Sequence, residues 1–277
     1  MKNKIQNSPR FILLVRYVAQ FLYLFQDILI TFNFSVIQIF RNAERDEKPL
    51  RIITGSDSSH FKSAIQLINS LLKTNKKAEI VFYDLGLDTN EVNEVKTYEI
   101  EYIKFNFDNY PKFFRLTEPD AGAYGWKPQI IETELSKTDG LIIWMDAGNV
   151  VFKSLDNLKK VIENIGFYSP LSNGYVDQWT HNTTLNLLNI DSYILRKRML
   201  NAAIVGINSQ NKKYKEFILN WSKLALEKNF ILPEGAGKSN HRWDQSLLTI
   251  TFYQNIKKII FPRTHKYFGI LTHQDID

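Results

Sequence analysis

The chain has 277 residues, 44% of them hydrophobic, which is enough for one large domain with appendages. It contains no cysteine, so disulfides, thiolate metal sites and cysteine nucleophiles are all excluded. Its formal charge of +6 comes from basic residues spread along the chain, which fits an anionic membrane or substrate better than the massed stripe of a nucleic-acid footprint.

Residues 1–10 are polar and basic. Residues 11–40 are densely apolar but broken by Arg16, Gln20, Gln26, Asp27, Asn33 and Gln38. These breaks leave no run of the ~20 apolar residues that a spanning helix needs. On a helical wheel Leu14, Val18, Phe21, Phe25, Ile28, Phe32, Val36 and Ile39 share one side, opposite most of the polar residues. That pattern predicts one or two amphipathic helices lying in a membrane interface, or else an extension packed on the rest of the chain or on a partner subunit. No small-residue cleavage site follows, which disfavours a cleaved signal peptide. Residues 41–50 are charged, carry a proline and read as a linker. Residues 1–45 are therefore expected to be a membrane-associating helical segment, and residues 46–277 the functional domain.

From there strands alternate with helices. The patterns predict a strand over 51–54, a turn over 55–59, a helix over Phe61–Thr74 and a strand over 79–83. A short helix over Thr89–Val95, a strand over 98–105 and a helix over 125–135 follow. This alternation predicts an α/β fold of three layers with a mostly parallel central sheet. No G-x-G-x-x-G follows the first strand, where ITGSDSS stands, so a dinucleotide fold is disfavoured.

The domain is organised around residues 139–155, DGLIIWMDAGNVVFKSL. A short apolar strand, Leu141–Met145, delivers Asp146 into a turn of small residues, and the chain recovers into a strand over 150–152. Ligands of open α/β sheets sit outside the carboxyl ends of the strands. Asp146 is thus placed to hold a cation or a sugar hydroxyl, the alternative being a carboxylate that only caps its turn. Later, residues 167–182 have the composition of a binding loop, 199–208 read as one strand flanked by amides, and 213–226 and 243–253 as helices. GAGKS at 235–239 echoes a phosphate-binding loop. It has Leu232 where that motif needs a glycine and no convincing strand before it, so a plain loop is expected.

Several of these stretches, in order, resemble the retaining nucleotide-sugar glycosyltransferases of family 8, which have the GT-A fold. IITGSDSS is similar to that family's nucleotide-binding start and implies donor contacts from Thr54, Ser56 and Asp57. YGWKPQIIETEL resembles its helix carrying a basic residue towards the donor, here Lys127. IIWMDAGNVVFKSL resembles its Asp-x-Asp strand, with Asp146 as first acid. LNAAIVGIN resembles its Asn-Ala-Gly strand, with Asn201, and RWDQSLLT its Asp-Gln helix, with Asp244 and Gln245. The match covers residues 51–255. WKP, WMD and HRWDQS together also resemble poorly characterised families grouped with the same fold.

The resemblance implies a GT-A-like three-layer sandwich. It also implies a nucleotide-sugar donor, a glycan or lipid-linked acceptor and a divalent cofactor, Mn²⁺ or Mg²⁺. Asp244, Asn201 and Gln245 would hold sugar hydroxyls and orient the acceptor, while Lys127 and Asp146 would neutralise the leaving diphosphate. One departure stands out: Gly148 replaces the second acid of Asp-x-Asp and is followed by Asn149. A hard cation wants several oxygen ligands, so weak metal binding is expected from Asp146, Asn149 and a late histidine. His273 is the first candidate for that histidine and His265 the second, although either reads equally well as a surface residue. The Asn-, Ile- and Lys-rich chain points to bacterial surface-polysaccharide synthesis at the cytoplasmic face of the inner membrane. The alternatives are a Golgi type II enzyme, if residues 11–40 span, and a non-catalytic sugar- or nucleotide-binding protein.

Overall fold

A computed structural model describes residues 50–256 and 264–276. The expectations for residues 1–45 lie outside this set. In chain order the main elements are β1 (Leu50–Asp57), α1 (Phe61–Thr74), β2 (Glu79–Gly86), α2 (Thr89–Val95), β3 (Glu101–Lys104), α3 (Trp126–Lys137), β4 (Leu141–Met145) and β5 (Val150–Val151). They continue as α4 (Asp156–Ile165), β6 (Phe167–Tyr168), β7 (Leu171–Tyr175), β8 (Arg198–Leu200), β9 (Ile204–Asn208), α5 (Lys212–Ala225), α6 (Trp243–Asn255) and β10 (Ile270–Leu271). Local chemistry explains several boundaries. α1 presents Phe61, Ala64, Leu67, Ile68 and Leu71 on one buried face. α2 starts at a capping box between Asp88 and Glu91, and α4 stops at Gly166, whose φ of 95° is left-handed.

The central sheet has six strands in the order β3-β2-β1-β4-β9-β6. β3, β2, β1 and β4 are mutually parallel, and β9 runs antiparallel to both β4 and β6. Every residue of β4 and β9 is buried, so both faces of the sheet are covered there. This is the mostly parallel α/β fold that the alternation predicts. Among the described residues no helix is long and apolar enough to cross a membrane.

The second half departs from its predicted outline. The single strand expected over 199–208 is two, β8 pairing with β7 in a small separate sheet and β9 joining the central one. Asn201 makes the break. Its N–H donates to Pro170 O at 2.7 Å, and its Oδ1 accepts from Ala203 N at 3.0 Å. This local side-chain bond competes with a continuous ladder. The loop expected over 167–182 likewise holds β6, β7 and a helical turn, Val176–Trp179. β1 runs through Ser56 and Asp57, where a turn was expected. GAGKS follows a helical turn, Lys228–Ile231, and not a strand, and its loop is closed by Asn240, which accepts from Gly237 N and donates to Gly235 O.

Because α3 leads into a strand parallel to β1, it runs back along the sheet and ends at the amino edge. There the buried Glu134 carboxylate receives Arg51 of β1, Tyr83 of β2 and Lys137. Arg51 also reaches Glu101 of β3 at 2.6 Å and Glu79 at 3.1 Å. Burial alone would raise the Glu134 carboxyl, but the bonds from Lys137, Tyr83 and Arg51 outweigh it and hold it below the usual value. The clamp ties α3 to three strands and thereby fixes what its other end presents. Glu134→Gln should cost about 3 kcal/mol in urea denaturation at pH 7 by removing the one buried carboxylate among Arg51's three partners. The deficit should shrink as pH falls through the depressed Glu134 pKa, where the parent loses the same charge. An equally stable variant would show that the clamp does not position α3.

Candidate functional site

β2 and β3 were added on one side of β1, and β4 returns on the other. The carboxyl ends of β1 and β4 therefore flank a point where the strand order reverses, the usual position of a ligand crevice in such sheets. A cleft of about 350 Å³ opens there. Gly55 lines it, and a Cβ at that position would stand 2.7 Å from Tyr83 O, so only glycine lets β1 pass β2 this closely.

At the centre of the cleft is an ion triad. Lys127, from the first turn of α3, lies 2.9 Å from Asp146 Oδ1 and 3.1 Å from Asp244 Oδ2. The Lys127 side chain is 4% exposed and Asp244 5%, whereas Asp146 is 39% exposed and faces the cleft. Burial by itself would favour a neutral lysine, but the two carboxylates reverse the balance and hold the ammonium above its ordinary pKa. Burial lifts Asp244 to about 6 against the opposing pull of Lys127, with the Asp146 charge adding to the rise. Tyr124 and Trp144 pack around the ammonium at 5.5 and 5.9 Å from their ring centres.

Asp146 is further oriented by Trp144, whose indole N–H donates to the same Oδ1 at 2.6 Å. Its Oδ2 has no hydrogen-bond partner among the described residues. Asn149 is 1% exposed; its Nδ2 donates to Ala203 O at 2.8 Å, and its Oδ1 is buried without a partner. Ser56 Oγ, also on the cleft wall, is buried and unpartnered. Asp57 is pushed up by burial but held below its ordinary pKa by Ser59 and His60. Asn201, Gln245 and His273 complete the wall. Asn201 Oδ1 is taken by Ala203 N, so its Nδ2 is the group it can offer.

Of the residues singled out from the sequence, the cleft brings together Ser56, Asp57, Lys127, Asp146, Asn149, Asn201, Asp244, Gln245 and His273. It does not include Thr54, which is fully buried within β1 with its hydroxyl unpartnered. His265 also stands off the wall; it is half-buried, and burial keeps it below the ordinary histidine value. Sequence reasoning missed Trp144, Trp243, Tyr124 and Asp275, all on the cleft. Trp144 was findable, since residues two apart in a strand point the same way and Asp146 was already suspected. Trp243 is 4% exposed, has a left-handed φ of 41° and leaves its buried indole N–H unpartnered, which no pattern announces.

Among the described residues no three His, Asp or Glu side chains cluster tightly enough to hold a metal ion by themselves. The mixed donor set does fit a hard divalent cation, which accepts an amide oxygen such as the orphaned Asn149 Oδ1 beside a carboxylate and the oxygens of a bound ligand.

Residues 14–132 match the model of a family described as a protein of unknown function, DUF1647. No curated protein matches the sequence. Solved structures similar to the chain include the bifunctional glycosyltransferase WbbM in its apo form, at 16% identity over 77% of this chain and 39% of that one, with a TM-score of 0.49. The galactosyltransferase LgtC, in complex with donor and acceptor sugar analogues, is 16% identical over 73% of this chain and 70% of its own, with a TM-score of 0.49. Core-mannan synthase A from Aspergillus fumigatus, in its Mn/GDP form, is 9% identical over 80% and 73%, with a TM-score of 0.49. The chain thus spans well under half the length of WbbM.

Proposed function

We propose that the protein is a glycosyltransferase that moves a sugar from a nucleotide-sugar donor to a glycan or lipid-linked acceptor, with retention of anomeric configuration. The observation that carries this reading is the Lys127–Asp146–Asp244 triad at the reversal point of the sheet, flanked by the unpartnered Asn149 Oδ1 and Ser56 Oγ. Breaking a sugar–phosphate bond develops negative charge on the leaving diphosphate and positive character on the sugar, and this site offers preorganised groups of both signs.

Ser56 and Asp57, which line the cleft at the end of β1, would hold hydroxyls of the nucleoside. Lys127 stabilises the leaving charge, and its ion pair with Asp146 keeps that carboxylate oriented. Asp244, with Asn201 and Gln245 beside it on the wall, binds sugar hydroxyls, and the burial of its own carboxylate strengthens such contacts. A divalent cation on Asp146, Asn149 and His273 would act, when bound, as a Lewis acid towards the diphosphate.

Calorimetry of nucleoside diphosphate binding in Mn²⁺ and in chelator tests the reading. With so few protein ligands for a cation, metal and nucleotide should each complete the other's site, so affinity should rise about fivefold or more in Mn²⁺. Asp146→Ala should remove that gain, and Asp139→Ala, an acid ahead of β4, should keep it. Equal affinities in metal and chelator, with no nucleotide sugar turned over, would favour a sugar- or nucleotide-binding protein instead.

A further inference from the structure

We propose that Asp275 supplies the second metal-binding carboxylate that position 148 lacks, so that the cation site is completed by a distant part of the chain. Gly148 stands two residues after Asp146, on the cleft wall. A Cβ built on Gly148 would lie 2.3 Å from Asp275 Oδ1 and 2.8 Å from Oδ2. The Asp275 carboxylate therefore fills the space where a side chain at 148 would begin. Gly148 needs no left-handed backbone, so its glycine identity makes room and does not serve a turn.

Asp275 is held there by bonds on either side of it. β10 pairs antiparallel with β5, bringing residues 270–271 beside Val150 and Val151. Gln274 N then donates to Gly148 O at 2.8 Å, Gln66 Nε2 of α1 donates to Gln274 O at 2.8 Å, and Ile276 N donates to Ser63 Oγ at 2.9 Å. Just before this anchored stretch His273 adopts a left-handed φ of 57°, a strained conformation for a non-glycine residue and one that clusters at ligand sites. His273 and Asp275 both line the cleft with Asp146 and Asn149. The Asp275 oxygens have no hydrogen-bond partner among the described residues. The buried, unpartnered Asn149 Oδ1 independently marks this wall as short of a ligand. Two carboxylates and an amide oxygen, with the oxygens of a bound nucleotide, are a donor set that Mn²⁺ accepts.

The inference rests on the nucleotide-sugar reading above, and its test separates the two. Mn²⁺ binding to the full chain would be followed by the loss of the free Mn²⁺ resonance, with UDP and with GDP in turn. Asp275→Asn should weaken Mn²⁺ at least about tenfold in the presence of the nucleotide that binds. Moving the carboxylate back, in the Gly148→Asp, Asp275→Gly double variant, should restore affinity to within about threefold, since the space at 148 is then free. Unchanged binding in Asp275→Asn, or no rescue in the double variant, overturns the Asp275 assignment while leaving the donor site intact. A parent protein that binds Mn²⁺ with neither nucleotide overturns both.

Discussion

Lys127→Met should destabilise the protein by about 3–5 kcal/mol at pH 7.5, the usual loss when one partner of a buried ion network is removed. Methionine fills a similar volume, so the loss would not be a cavity effect. Two carboxylates depend on the ammonium, and Asp244, at 5% exposure, is largely shielded from water. The deficit should narrow on acidification. Asp244 is already raised to about 6, and without the lysine that opposes the rise it titrates higher still. A carboxyl whose folded pKa exceeds the unfolded value of 3.8 binds its proton more readily in the folded state. Folding is therefore favoured as pH falls through the raised pKa, and the penalty of the buried charge is felt above it. Urea titrations at pH 7.5 and pH 5 read this directly. A variant as stable as the parent at both would mean that the triad is not a charged, desolvated unit.

Asp244→Asn should separate chemistry from folding. Turnover should fall at least ~100-fold if the Asp244 charge stabilises the transition state. The stability at pH 7 should change by less than about 1 kcal/mol, because the asparagine removes a buried charge that its surroundings disfavour. Lys127 keeps Asp146 as a partner. The pH profile gives a second readout. In the parent, kcat/KM for nucleotide-sugar hydrolysis should fall as pH drops through about 6, where Asp244 becomes protonated, and not near the value of an ordinary aspartate. The residual activity of the variant should lack that limb. Near-normal turnover in a folded variant would make Asp244 a structural acid at the start of α6.

How far the sequence alone could go follows from which forces are local. Short apolar runs between turn formers mark β1, β2 and β4, because a strand covered on both faces must be apolar throughout. The alternation of strand and helix determined the parallel sheet, and the rule that ligands sit at the carboxyl ends of strands made Asp146 a candidate for the crevice, with a turn cap as the alternative. Ordered motif resemblance brought in Lys127, Asn201 and Asp244. Only the tertiary structure decided how these residues meet. Asp244 lies far along the chain from Lys127, and their pairing depends on α3 being clamped at Glu134 and on α6 crossing to the same edge. The break at Asn201 came from a side-chain hydrogen bond to Ala203 that apolar patterning does not encode. Thr54 fell off the cleft because it sits inside β1, before the carboxyl end where Gly55, Ser56 and Asp57 reach the crevice, and a motif names a strand without marking where its ligand end begins. Asp275 beside Gly148 was invisible for the plainest reason: the pairing of β10 with β5 brings together residues that share no pattern, only a gap and a carboxylate of matching size.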